Sequence, residues 1–101
     1  MDLSQKEWID KVKSTDNAII IDVRTPEECA NGMIMNAFAI DIYKGQQFID
    51  EINQLDKSAI YFLYCKAGGR SAQACALMNQ LGFEKTYNLV GGVTQWKGEL
   101  Q

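Results

Sequence analysis

The residues best suited to chemistry are Tyr64-Cys65-Lys66-Ala67-Gly68-Gly69-Arg70-Ser71, a thiol followed by two cations, two glycines and a hydroxyl. An apolar run, Ala59 to Tyr64, precedes them and an amphipathic stretch follows, so they form a loop between a predicted strand and a predicted helix. Gly68 and Gly69 allow positive φ angles, which lets successive N–H groups turn inward as an anion-binding nest. A helix starting near Ser71 adds its N-terminal partial charge and its unpaired donors, and Lys66 and Arg70 add full charges. A free thiol titrates near ~8.5, and helix N-termini with basic neighbours bring it to roughly 3.5–7.5. The same donors would stabilise the terminal sulfur of a persulfide or the oxyanion end of an incoming donor. Ser71 is expected to cap the helix.

Three cysteines and no histidine restrict the alternatives. Three thiols cannot all pair, so at least one is free. Without histidine there is no Ser-His-Asp or Cys-His pair, and no mixed cysteine–histidine zinc site. A four-cysteine zinc site fails for want of a ligand, so no metal or cofactor is expected. Any nucleophile here works without imidazole. Cys29 lies inside a short predicted helix and Cys75 beside the apolar stripe of another, and both are expected to be core residues. Arg70 has two readings left open, facing substrate or pairing with a carboxylate such as Glu28. Asp22 and Arg24, at the end of the first predicted strand, read as a buried structural pair. Trp8, Trp96 and the Gly91-Gly92 turn also read as structural.

The elements that must position this loop alternate in period. Ser4-Gln5-Lys6-Glu7 has the form of a capping box, with Trp8, Ile9 and Val12 on one helical face. Ala18 to Val23 is apolar apart from Asp22, as a strand covered on both sides would be. Thr25-Pro26-Glu27-Glu28 then supplies an N-cap, a first-turn proline and a capping glutamate for a short helix that stops at Gly32. Ala37 to Ile42 is a weak strand, and Phe48, Ile49, Ile52 and Leu55 mark a helix. Ala74, Leu77, Met78 and Leu81 mark another, from about Ser71 to a stop at Gly82. Lys85 to Leu89 is the last strand and Gly92 to Lys97 a closing helical turn. Strands alternating with helices predict one α/β domain over residues 1–101, with a mostly parallel sheet of four to five strands between two layers of helices.

Composition agrees with such a domain. Of 101 residues, 47% are hydrophobic and 23% charged, and 10 Lys and Arg stand against 13 Asp and Glu. The net charge of −3 offers no general attraction to nucleic acid or anionic lipid, so any anion site must be local. No apolar run approaches the length of a membrane span. The polar, acidic start, with no basic stretch leading into an apolar one, predicts a cytoplasmic setting.

The chain resembles the rhodanese family, in particular its small, one-domain members. The resemblance rests on Asp22-Val23-Arg24-Thr25-Pro26-Glu27-Glu28, Asn31-Gly32-Met33-Ile34, the Cys65–Ser71 loop, Leu81-Gly82-Phe83, and Leu89-Val90-Gly91-Gly92-Val93-Thr94-Gln95-Trp96. These blocks stand in the family's order from about Ala18 to Trp96. The resemblance implies transfer of a sulfane sulfur through a persulfide on Cys65, with Lys66, Ala67, Gly68, Gly69, Arg70 and Ser71 around it. It implies a small donor such as thiosulfate or a persulfide, and cyanide or a thiol as acceptor. A thioredoxin-like or sulfur-trafficking protein is a compatible partner. A non-catalytic docking module is an alternative, although family members of that kind usually lack the loop cysteine. Related phosphatases and arsenate reductases use Cys-x5-Arg around a tetrahedral oxyanion, whereas Cys65 to Arg70 is Cys-x4-Arg. One segment departs from the family, whose Gly-His-Ile-Pro-Gly reads Gly32-Met33-Ile34-Met35-Asn36 here.

Overall fold

The computed structural model describes residues 1–101, whose five strands form one sheet in the order β1-β5-β4-β2-β3. These are β1 (Asp2–Leu3), β2 (Ile19–Asp22), β3 (Ala37–Ala39), β4 (Ile60–Tyr64) and β5 (Lys85–Leu89). The helices are α1 (Gln5–Ser14), α2 (Pro26–Cys29), α3 (Gln46–Asn53) and α4 (Gly69–Gln80), with 3-10 turns at Ile42–Lys44 and Gly92–Gln95. The expected α/β sheet with helices on both faces is what forms, and every strand pair in it is parallel.

Central strand β4 is apolar throughout because both of its faces are covered. Tyr61 and Leu63, with Cys65 just beyond the strand, pack against Phe48 and Ile52 of α3 and Ala74, Cys75 and Met78 of α4. Phe62 and Tyr64 pack on the other face with Trp8 of α1 and Ile34. This is the two-residue alternation of a pleated strand meeting the four-residue recurrence of helix faces. Trp8 anchors its layer, standing edge-on to Phe62, Tyr64 and Trp96 at centroid distances of 5.8, 6.4 and 5.9 Å. Its helix is fixed at the start by a capping box, in which Ser4 Oγ accepts from Glu7 N and Glu7 Oε1 accepts from Ser4 N.

Some boundaries differ from the sequence reading. β1 escaped notice because two residues carry no periodic signal, and only pairing with Asn88 and Leu89 makes them a strand. The Ala37–Ile42 strand stops at Ala39, after which Asp41 caps a 3-10 turn through Tyr43 N. Helix α4 starts at Gly69, two residues before Ser71, and its N-cap is Gly68. Ser71 therefore lies inside the helix rather than capping it.

The topology fixes where a ligand can sit. From β2 the chain crosses to β3 on one side, and from β4 it crosses to β5 on the other. The connections leaving the adjacent carboxyl ends of β2 and β4 diverge and open a crevice there, the usual ligand position in an open parallel sheet. Asp22 ends β2 and Arg24 follows it at this crevice, and Cys65 to Arg70 follow β4.

Candidate active site

Cys65 is 1% exposed and lies at the foot of α4. Gly68 N donates to its Sγ at 3.1 Å, and Ser71 Oγ lies 3.3 Å from the same atom. Gly68, in the left-handed region at φ 106°, turns the chain into the helix without a side-chain cap. The orphan donors of the first helical turn are thereby left for the sulfur. Gly69 takes no positive φ, so Gly68 alone supplies the turn expected of both glycines. Burial opposes ionisation of Cys65, but the Ser71 hydroxyl and the amides of Ser71, Gly68 and Ala67 outweigh it and hold the thiol below its ordinary value. The other two thiols move the opposite way. Burial raises both Cys29 and Cys75 to about 11.

The loop is clamped from behind by the chain after β5. Val93 N donates to the Cys65 carbonyl at 3.0 Å, and Thr94 donates to the Lys66 carbonyl through N at 2.9 Å and Oγ1 at 2.8 Å. With these carbonyls tied outward, the N–H side of the loop is left facing Sγ. The approach is close enough to require glycine at 92, since a Cβ there would lie 2.4 Å from the Cys65 oxygen. Sequence reasoning placed Gly91-Gly92 as a turn but not as the wall of the cysteine loop. Nothing local in the sequence marks that contact.

Arg70 turns away from the sulfur into a bidentate pair with Glu28, Nη1 to Oε1 at 2.7 Å and Nη2 to Oε2 at 2.8 Å. Its guanidinium also lies 5.3 Å from the centroid of the Tyr43 ring. Glu28 serves twice, because Oε1 also accepts from Thr25 N and Oγ1 in the capping box of α2. One carboxylate thus joins the start of α2 to the start of α4. The Arg70 hydrogen bonds are the main reason that the Glu28 carboxyl is held down from 4.5 to about 2. A depressed carboxyl stabilises the fold above its unfolded value and loses that contribution as pH falls through the folded value. Urea midpoints of the native protein and Glu28→Gln are therefore expected to differ above pH about 4.5 and to converge as pH approaches about 2. A gap that stayed constant down to that pH would remove the ion pair from the account.

Asp22 and Arg24 form a second ion pair, this one buried, with Arg24 Nη2 2.7 Å from Asp22 Oδ2 and also donating to the Gly32 carbonyl at 2.7 Å. Beside it, Tyr64 Oη accepts from Ile34 N at 3.0 Å. Both contacts fix the loop after α2, not the sulfur. Lys66 is exposed and lines a shallow pocket of about 230 Å³ with Arg24, Glu28, Asn31, Val93 and Thr94. Cys75 is buried in the core against α4's strand partners, but Cys29 is half-buried, at the rim of a groove with Arg24 and Asp41. The expected core role of Cys29 fails because α2, only four residues long, buries none of its residues. Asn88 of β5 and Asp2 of β1 were missed altogether. Asn88 Nδ2 donates to Asp2 Oδ1 at 3.0 Å and to the Gly68 carbonyl at 3.2 Å, and its Oδ1 meets the Ser71 hydroxyl.

The sequence and the fold both have counterparts among known proteins. The family described as the Rhodanese-like domain matches residues 5–99. The chain belongs to the rhodanese-like family. A protein of Allochromatium vinosum named "Sulfurtransferase" is 35% identical over 86 residues, covering 85% of this chain and 78% of that one. The crystal structure of a rhodanese-like domain protein from Staphylococcus aureus superposes with a TM-score of 0.84 at 32% identity, covering 99% of this chain and 95% of that one. Members of the family also occur inside larger proteins. A tRNA uridine(34) hydroxylase of Cytophaga hutchinsonii is 32% identical over 87 residues, 84% of this chain but 28% of that one. The rhodanese-like frame also accounts for the departing segment, in which Asn36 stands where the common motif has its second glycine. Asn36 takes φ 70°, a left-handed conformation that asparagine tolerates better than most residues. The segment is held in place by paired backbone bonds between Met33 and Gln101, at 2.8 and 2.7 Å.

Proposed function

We propose that this rhodanese-like chain, a single domain over residues 1–101, transfers a sulfane sulfur through a persulfide on Cys65. The observation that carries the reading is the contrast among three thiols. Only the Cys65 sulfur receives converging amides and a hydroxyl, and only its pKa is lowered. The thiolate attacks the sulfane sulfur of thiosulfate, and the bond to the sulfonate breaks with its electron pair leaving in sulfite. The outer sulfur of the persulfide then carries the negative charge, within reach of the amides that open α4. Cyanide attacks this outer sulfur, the S–S electron pair returns to Cys65 as thiolate, and thiocyanate departs. A small thiol acceptor or a thioredoxin-like protein would take the sulfur by the same attack. Exposed Lys66 is the cation available to the sulfonate, because Arg70 is engaged by Glu28. Three free thiols suit a reducing, cytoplasmic setting.

The intact mass should rise by one sulfur atom after incubation with thiosulfate and return to its starting value after cyanide. A cup closed around one sulfur should also leave aryl phosphates unhydrolysed, since a tetrahedral phosphate needs several donors at a wider radius. Absence of the sulfur adduct, or a Cys65-dependent phosphatase activity, would overturn the proposal.

A further inference from the structure

Beneath the sulfur the Ser71 hydroxyl is backed by Asn88, a polar group that the transfer chemistry described above does not use. Ser71 is fully buried and Asn88 is 3% exposed, both enclosed between α4 and β5. The Ser71 hydroxyl has one proton and three acceptors within reach. Cys65 Sγ and the Gly68 carbonyl are each 3.3 Å away, and Asn88 Oδ1 is the nearest of the three. Which way Asn88 faces is settled by its other end. Nδ2 donates both to Asp2 Oδ1 and to the Gly68 carbonyl, so only Oδ1 can meet Ser71, and Oδ1 has no proton to give.

We propose that Asn88 is a positioning residue that holds the Ser71 proton on its Oδ1 while the Cys65 sulfur is uncharged and yields it to Sγ when that sulfur becomes anionic. In the uncharged state the Ser71 oxygen turns a lone pair towards the thiol, which donates to it. In the anionic state the hydroxyl rotates, because a hydrogen bond to a charged acceptor is the stronger of the two. Asn88 then loses its donor, so it competes with the thiolate and raises the thiol pKa above what Ser71 alone would give. The hydroxyl would follow the charge on the inner sulfur through each cycle, off it in the persulfide and on it when Cys65 departs as thiolate. This inference rests on Cys65 being the working thiol, but its test reads thiol acidity rather than sulfur transfer, so the two can fail separately.

The test is the apparent pKa of Cys65, from the pH dependence of iodoacetamide alkylation followed by mass. Four proteins are compared: native, Ser71→Ala, Asn88→Leu and the double variant. The other charged groups around the site are Lys66, Arg70 with its partner Glu28, and Asp2, together with the ionisable Tyr43 and Cys75, and all are common to the four. Ser71→Ala is expected to raise the pKa by about one unit, and Asn88→Leu to lower it by roughly half a unit to one unit. In the Ser71→Ala background the effect of Asn88→Leu should vanish, which a merely structural role would not produce. Should Asn88→Leu not fold, Asn88→Ala removes the same Oδ1 acceptor: it should likewise lower the pKa, and should leave the pKa unchanged where Ser71 is already alanine. An Asn88→Leu protein with unchanged or raised pKa, or a shift independent of Ser71, would overturn the proposal.

Discussion

Replacing Cys65 with serine is expected to abolish transfer of sulfur from thiosulfate to cyanide, by at least about 10³-fold, since no other residue supplies the nucleophile. A serine hydroxyl is not ionised at neutral pH and does not form a persulfide, so loss of the sulfur adduct should accompany loss of rate. The paired Cys29→Ala, Cys75→Ala protein should retain most of the activity. Burial holds both of these thiols near 11, protonated at neutral pH, and neither lies at the foot of a helix N-terminus. Removing the buried Cys75 side chain opens a small gap beside Met78 and Ala74, so a lower melting point with preserved rate per folded molecule is the expected pattern. Activity surviving in Cys65→Ser would end the assignment.

Gly92→Ala is expected to have a large effect although the residue touches no reacting atom. The added methyl would lie 2.4 Å from the Cys65 oxygen, 2.5 Å from the Lys66 oxygen and 2.6 Å from the Lys66 carbonyl carbon. All three are backbone atoms of the cysteine loop, so no side-chain rotation relieves the clash. The residue also sits at φ 55°, which costs a residue with a Cβ about 1–2 kcal/mol by itself. A loss on the order of 2–4 kcal/mol is expected from urea unfolding. Sulfur transfer per folded molecule should fall by at least roughly tenfold, because moving the Cys65 and Lys66 carbonyls turns the loop amides off the sulfur. Gly69→Ala is the control. Nothing outside its own stretch of helix lies within 4 Å of its added methyl and its φ is ordinary, so stability should stay within about 0.5 kcal/mol. Equal effects at the two positions would mean that the clamp behind the loop is unimportant.

The division between what could and could not be read from the chain follows the range of the interactions. The residues of β4 are apolar without interruption, and those of α1 and α2 carry capping boxes, so strand and helices alike are written in neighbouring residues. The thiol loop is equally local in its signal, since an apolar strand ending at Tyr64, a glycine at 68 and a helix that starts within four residues of Cys65 mark where amides gather around a sulfur. From those local signals the sequence alone determined the α/β class, the layers and the loop that presents the thiol.

Tertiary structure decided everything that depends on partners distant in the chain. Whether Arg70 faces the ligand or a carboxylate was open in the sequence, and it was decided by α2 bringing Glu28 beside it from 42 residues away. Ser71 looked like a helix cap until the helix began two residues earlier at Gly68-Gly69, which turned its hydroxyl inward to the sulfur. Asn88 and Asp2 carry no motif and gain their place only because β1 pairs with β5 beside the foot of α4. The same holds for Gly92, whose need for glycine arises from its approach to the Cys65 and Lys66 carbonyls, far upstream in the chain. Hydrogen bonding and periodicity act over a few residues, so they leave a trace in the local sequence. The contacts that bury, brace and tune the Cys65 sulfur close long loops, and only the assembled sheet brings their ends together.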